Sequence, residues 1–153
     1  MSESTPAQAL ETALAGFLAT GAAHRNCAQA VMLYTLAALG EDPGVVALAR
    51  YLGGGIGRSG STCGALTGAA LGLGLRDLHD PQTWADLSPE GCAQLQALLR
   101  DFRDEFGVTE CRALTDCDLS TEAGRMRFTN QRLRETRCVR YIEWVCGRLG
   151  ELL

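Results

Sequence analysis

Cysteine is the residue type in this sequence that could carry chemistry. The chain contains seven cysteines among 153 residues, and in a reducing compartment such thiols serve catalysis, redox sensing or metal binding more often than structural disulfides. Cys63 lies between a glycine-rich loop and the apolar run that begins at Gly64. At the start of a helix, the helix dipole lowers a thiol's pKa and favours the thiolate, which attacks disulfides, is oxidised or binds metal. We therefore predict that Cys63 is the lead thiolate, with Ser61 or Thr62 capping its helix.

The remaining cysteines fall into two groups. Cys27 lies early in a predicted helix, Cys111 lies in a short turn, and Cys138 opens the amphipathic face of the last helix. Cys92 and Cys146 align with apolar helix positions and are typical of small buried hydrophobic residues. Cys117 is close enough in sequence to Cys111 for a loop disulfide between them, but this spacing alone is not diagnostic of one. The chain has no Cys-x-x-Cys motif, so neither a thioredoxin-like site nor a zinc ribbon is indicated.

Four of these cysteines lie in motifs that resemble a known family. The motifs NCAQAV, LGGGIGRSGSTCGALTGAALGLGL, EFGVTECRALTDCDLSTEAGR and RCVRYIEW carry Cys27, Cys63, Cys111 and Cys138 in that order. With them the chain resembles the C_GCAxxG_C_C family of redox-active proteins from about residue 25 to its C-terminus. The family pattern places a glycine directly before the second cysteine, whereas here Cys63 precedes Gly64 and lies one position earlier, about 100° around a helix.

The resemblance implies a helical domain with a redox or metal-binding role. Similar domains occur beside multihaem cytochromes, which implies electron transfer, but this chain has no Cys-x-x-Cys-His motif and attaches no haem of its own. The first hypothesis is that Cys27, Cys63, Cys111 and Cys138 converge and cycle between thiol and disulfide, as in a thiol-dependent oxidoreductase. The second is that the same four thiolates hold an iron–sulfur cluster or a single metal ion. The third is a non-catalytic helical module whose cysteines fill the core.

The glycine-rich loop formally matches a nucleotide-binding pattern, Gly55-x-Gly57-x-x-Gly60. We reject a dinucleotide site because that fingerprint needs a preceding strand and a βαβ unit, and here a helix precedes the loop. The simplest interpretation is a flexible connection between helices. An alternative interpretation is an anion-binding site, in which backbone N–H groups near Gly57 and Gly60 bind the anion and Arg58 assists. His24 and His79 are predicted to be ordinary surface residues.

The elements that position these residues are predicted to be helices only. Each of the four prolines follows Ser, Thr or Asp, which is a helix-start signal, and the chain lacks runs of alternating β-branched or aromatic residues. The predicted segments are Pro6–Thr20, Asn26–Leu39, Pro43–Leu52, Gly64–Leu75, Pro89–Phe106 and Asn130–Leu152, with a looser segment at Arg76–Leu87, a turn at Glu110–Asp118 and a helix capped by Ser120. We expect a single all-α domain over 1–153, a compact bundle of five to seven helices.

Gly64, Gly68 and Gly72 recur every four residues and share one face of the predicted helix that follows Cys63. Glycine lowers helix propensity but permits another backbone to approach closely. This helix must therefore be stabilised by packing, and we place it at the centre of the bundle.

Charge and hydropathy limit the partners. The formal net charge is −4, and all 14 basic residues are arginine, which argues against a nucleic-acid-binding protein. The arginines between Arg125 and Arg140 are interleaved with Glu122, Glu135 and Glu143, a pattern that predicts a solvated helix face. The N-terminus lacks a secretory pattern, and the longest apolar run is too short to cross a bilayer, so we expect a cytoplasmic protein without membrane partners. The sequence identifies no redox partner and leaves a homo-oligomer open.

Overall fold

The computed structural model of the protein describes residues 2–83 and 87–153. Within these residues there are eight α-helices and no strand. The helices are α1 (Pro6–Leu18), α2 (Cys27–Leu39), α3 (Gly53–Ile56), α4 (Gly64–Asp77), α5 (Pro89–Phe106), α6 (Cys111–Thr115), α7 (Glu122–Asn130) and α8 (Val139–Gly150). Short 3₁₀ segments lie at Gly21–Ala23, Pro43–Ala49 and Pro81–Thr83, and a π-helical turn spans Arg134–Cys138. The all-α prediction is confirmed.

Local capping residues explain where the long helices begin. Thr5 and Asn26 each form a capping box with a glutamine three residues later, and Ser88 accepts from the Gly91 N–H ahead of α5. Gly40 ends α2 in the left-handed region. The starts at Thr5 and Ser88 were predicted correctly because each depends only on neighbouring residues.

Several segments differ from the prediction. The segment expected to form a third helix is 3₁₀ at Pro43–Ala49, and the last helix begins with a π turn. Thr121, not Ser120, caps α7 by accepting from the Gly124 N–H, because the Ser120 hydroxyl is hydrogen-bonded to Asp118 instead. Helix α4 extends two residues into the segment Arg76–Leu87, which was expected to be loose. Pro81 opens one short 3₁₀ turn in that segment. Residues 84–86 lie outside the described part of the chain.

Helix α4 lies at the centre of the fold, as predicted from its glycines. The Gly64, Gly68 and Gly72 face lies directly against α2, where a Cβ on Gly68 would contact the Ala28 backbone and one on Gly72 would contact Thr35. Such close approach places many backbone and side-chain atoms in van der Waals contact. The main core includes residues of α1, α2, α4, α5 and α8, with fully buried side chains such as Val31, Leu66, Phe102, Ile142 and Leu149.

An aromatic cluster joins α5 to α8 on one side of this core. The rings of Phe106 and Tyr141 meet edge-to-face with centroids 4.9 Å apart, and Phe102 lies against both. Trp144 completes the cluster with T-shaped contacts to both phenylalanines. Such aromatic contacts favour defined ring orientations, so the cluster fixes the position of Tyr141, which lies beside the cysteines described below. Among the described residues, none of the helices has the length and apolar character required to cross a membrane.

Candidate functional site

Cys63 and Cys111 are brought together by two short extended segments. The Cys63 N–H donates to the Thr109 carbonyl at 2.8 Å, and the Cys111 N–H donates to the Ser61 carbonyl at 2.7 Å. An isolated antiparallel bridge between Thr62 and Glu110 completes this pairing. The pairing holds the start of α4 next to the start of α6. Cys63 occupies the N-cap position of α4, without a side-chain capping bond, so the expectation that Ser61 or Thr62 caps this helix is wrong.

Cys27 joins this pair through the contact between α2 and α4. It is the first residue of α2, after the Asn26 cap, and its sulfur lies directly against Gly64, where a Cβ would overlap it. Nearby backbone N–H groups, that of Gly54 first, act to lower the pKa of Cys27, but burial outweighs them and raises it. Glycine at position 64 is therefore what leaves room for the Cys27 thiol beside Cys63.

Cys138 is positioned by the π turn that precedes α8. The Leu114 carbonyl accepts hydrogen bonds from the Arg137 guanidinium at 3.1 Å and from the Tyr141 hydroxyl at 3.2 Å. These bonds tie the residues on both sides of Cys138 to α6, the helix that begins with Cys111. A π turn inserts an extra residue per turn and rotates the side chains that follow, and such turns are frequent at functional sites.

All four cysteines line one small cavity of about 20 Å³, together with Leu114, Thr115 and Tyr141. The cavity has room for about one water-sized molecule. Cys63 and Cys111 are buried, whereas Cys27 and Cys138 are partly buried, and all seven cysteines of the chain are free thiols. The four sequence positions predicted to converge therefore do so, although they come from four different elements separated by up to 111 residues along the chain.

Burial determines the ionisation of these thiols. It raises the pKa of Cys111 to about 12 and raises the pKa values of Cys27, Cys63 and Cys138 as well. The next largest contribution for Cys63, Cys111 and Cys138 is the neighbouring charge of Cys27, so each thiolate opposes ionisation of the others. The prediction that the helix dipole lowers the pKa of Cys63 is therefore wrong, because desolvation outweighs the dipole at this buried position.

A second, larger pocket of about 600 Å³ also borders the cysteines. Cys27, Cys111 and Cys138 line it, and Cys63 does not. Its remaining lining includes the aromatic residues Phe17, Tyr51 and Phe128 and the arginines at positions 50, 58, 125 and 134. This pocket therefore offers a route to three of the four clustered cysteines.

The glycine-rich loop contributes to this pocket in a different way from the one predicted. The N–H groups of Gly57, Arg58 and Gly60 donate to the carbonyls of residues 51, 53 and 54 within the loop, so they are not free to bind an anion. Gly57 and the Arg58 side chain line the pocket, and Gly60 packs against Arg112 instead. Ile56 and Arg58 adopt a φ of +64°, a backbone conformation that costs non-glycine residues energy and that often accompanies functional sites.

The other cysteines and the histidines take separate positions. Cys146 is fully buried in the main core, as predicted, and Cys92 is partly buried on α5. Cys117 is buried and lies close enough to Cys111 for a charge on Cys117 to raise the Cys111 pKa, so Cys117 is a neighbour of the cluster. His79 is exposed beside Glu41. His24 is not an ordinary surface residue: it is partly buried in the large pocket, and its pKa is lowered by burial and by Arg134.

Sequence reasoning missed the pocket arginines. Arg125 and Arg134 were assigned to a solvated face, but they are partly buried and line the pocket. The Arg125 guanidinium donates to the Leu119 carbonyl, and the Arg134 guanidinium lies 5.9 Å from the Phe17 ring centroid. A weak signal was present, because Arg58 had been selected as a candidate anion ligand.

The described side chains contain no group of three or more His, Cys, Asp or Glu residues arranged to hold a metal ion. Four thiolates are suitable donors for zinc or an iron–sulfur cluster, but the arrangement of the described residues does not provide such a ligand group. We therefore derive no step through a metal.

Comparison with known proteins identifies the family. Residues 25–152 match the family described as "Putative redox-active protein (C_GCAxxG_C_C)", and this range includes all four clustered cysteines. No curated protein and no solved structure matched the chain. The match covers most of the sequence, and the chain belongs to the C_GCAxxG_C_C family of redox-active proteins.

Proposed function

We propose that this protein carries out thiol–disulfide redox chemistry with Cys27, Cys63, Cys111 and Cys138. The observation that supports this proposal is that four cysteines from four different elements line one cavity. Core packing alone does not require four thiols to meet: Cys146 is fully buried in the core and lines neither cavity.

The ionisation of the cluster favours a disulfide as its oxidised form. A buried thiolate is costly, and several thiolates together are costlier because they repel one another. Oxidation joins two sulfurs, releases two protons and two electrons, and leaves a neutral group in the cavity. The acceptor that we propose is a disulfide-containing molecule, which takes up the two electrons and leaves as two thiols.

Cys27 is the proposed attacking thiol. Cys27 lines both cavities, as Cys111 and Cys138 also do, and nearby backbone N–H groups, that of Gly54 first, partly offset the rise of its pKa on burial. It attacks one acceptor sulfur to form a mixed disulfide and expels the other sulfur as a thiolate. A second clustered thiol, after losing its proton, then attacks the Cys27 sulfur, forms the internal disulfide and releases the rest of the acceptor as a thiol.

The experiment counts free thiols in unfolded samples of the protein before and after mild oxidation. The count is expected to fall from seven to five and to return to seven with dithiothreitol, and Cys27→Ser is expected to prevent the fall. Cys92→Ser is the matched control, because this cysteine is partly exposed on α5 and lines neither cavity. A wild-type count that remains at seven would contradict the proposal. Visible absorbance with bound iron in anaerobically purified protein would replace it with the cluster alternative.

A further inference from the structure

The charge of the large pocket is opposite to that of the protein. Four arginines line the pocket, and no aspartate or glutamate is among the described residues that line it, although the whole chain has a formal net charge of −4. Two of these arginines, Arg50 and Arg58, flank helix α3, and Arg125 and Arg134 belong to α7 and the π turn. Two distant parts of the chain therefore bring positive charge to one place.

These four guanidinium groups lack carboxylate partners in the described part of the chain. The ion pairs of the other arginines include those of Arg76, Arg112, Arg127 and Arg148. In the pocket, Arg125 is hydrogen-bonded to a backbone carbonyl and Arg134 lies near an aromatic ring, and neither contact neutralises the charge. The pocket thus retains donors suited to carboxylate or phosphate oxygens.

The pocket also has the size and the apolar surface for an organic molecule. Its volume of about 600 Å³ is within the range of small-molecule sites, which combine apolar walls with a few polar groups. Phe17 and Phe128 supply the apolar surface, and Cys27, Cys111 and Cys138 supply the sulfur atoms. Arg134 lies close enough to Cys138 for its charge to favour the Cys138 thiolate.

We propose that the pocket binds a small, negatively charged organic disulfide, whose anionic groups pair with Arg50, Arg58, Arg125 and Arg134 while its sulfur atoms reach Cys27. This assignment rests on the thiol–disulfide function proposed above and names its substrate class. The arginines act as binding residues. They also offset the repulsion between an anionic substrate and the attacking thiolate.

Two aromatic disulfides that differ in charge test the assignment. Dithiobis(nitrobenzoate) carries two carboxylates, and dithiodipyridine is neutral at pH 7. Rates are measured with reduced protein carrying Cys92→Ser, which removes the partly exposed thiol of α5. Arg58→Gln and Arg134→Gln are each expected to lower the ratio of the anionic-reagent rate to the neutral-reagent rate about threefold to tenfold. Added salt should likewise slow only the anionic reagent.

Arg100→Gln is the matched control, because Arg100 is exposed on α5 and lies outside the pocket. It should change neither rate. Arg50→Gln is an independent test at an exposed position if the Arg134 variant fails to fold. Equal rates for the two reagents, without dependence on the pocket arginines, would overturn the assignment.

The stoichiometry distinguishes this failure from failure of the proposed function. Formation of an internal disulfide releases two small thiols per reagent molecule consumed, whereas a stable mixed disulfide releases one. Two thiols per reagent without arginine dependence would refute only the substrate class. One thiol per reagent would refute the thiol–disulfide function and the substrate assignment that rests on it.

Discussion

Substitution of Gly68 by alanine tests the close contact between α2 and α4. A Cβ at this position would lie 2.7 Å from the Ala28 carbonyl oxygen, 3.1 Å from the Ala28 Cα and 3.0 Å from the Val31 Cβ. Ordinary contacts of this kind begin near 3.4 Å. Two of the three atoms belong to the backbone and the third is a Cβ, so no side-chain rotation relieves the overlap and the helices must separate.

The expected cost follows from two opposing effects. Overpacking a well-packed interface costs about 1–3 kcal/mol, and replacing glycine with alanine in a helix gains about 1 kcal/mol. We expect Gly68→Ala to lower the free energy of unfolding by up to about 2 kcal/mol, whereas helix propensity alone would raise it. Because the same helix contact places Cys27 beside Gly64, the substitution should also slow formation of the internal disulfide.

Urea denaturation of the reduced protein measures the first effect. Gly74→Ala is the matched control on the same helix, since Gly74 is exposed and a Cβ there would contact no atom within 4 Å. The control should gain about 0.5–1 kcal/mol from helix propensity. If both variants are stabilised equally, the glycine face is not the packing surface and the central position of α4 is refuted.

Three further predictions concern ionisation, capping and a buried hydrogen bond. Burial raises the pKa of Cys111 to about 12, whereas thiols in an unfolded chain titrate near 8.5, so the unfolded state loses this proton first as the pH rises. The unfolding free energy of the reduced protein should therefore fall from about pH 8.5 upward, by at most about 1.4 kcal/mol per pH unit for this group. Denaturation at pH 7 and pH 10 measures the fall, and Cys111→Ala should reduce it. Thr121→Ala should cost about 1 kcal/mol because it removes the cap of α7, and Ser120→Ala should cost less; equal losses in thermal unfolding would contradict this assignment. Tyr141→Phe should cost about 1 kcal/mol because the Leu114 carbonyl loses a buried donor, and an unchanged denaturation midpoint would argue against that bond.

The features that depend on neighbouring residues were predicted from the sequence. The caps at Thr5 and Ser88 and the glycine spacing along α4 concern a few adjacent positions. The π turn before α8 was not predicted, because it is set by tertiary bonds from residues 137 and 141 to the Leu114 carbonyl.

The candidate site could be predicted only in part. The grouping of Cys27 with Cys63, Cys111 and Cys138 came from the family resemblance, since no spacing rule joins such distant positions. The expected lowering of the Cys63 pKa was wrong, because the burial of Cys63 depends on elements far from it in sequence. The arginine pocket was missed for the same reason: Arg58 and Arg134 lie in separate segments, and only folding brings them to one pocket.

The central claim is that Cys27, Cys63, Cys111 and Cys138 form one redox group. Peptide mass spectrometry of the mildly oxidised protein, digested under conditions that prevent disulfide exchange, tests it most directly by mapping which cysteines are joined. We predict a disulfide between two of these four cysteines within one chain, with Cys92 and Cys146 remaining as free thiols. A disulfide that involves Cys92 or Cys146, or one that joins two chains while the four remain reduced, would contradict the claim.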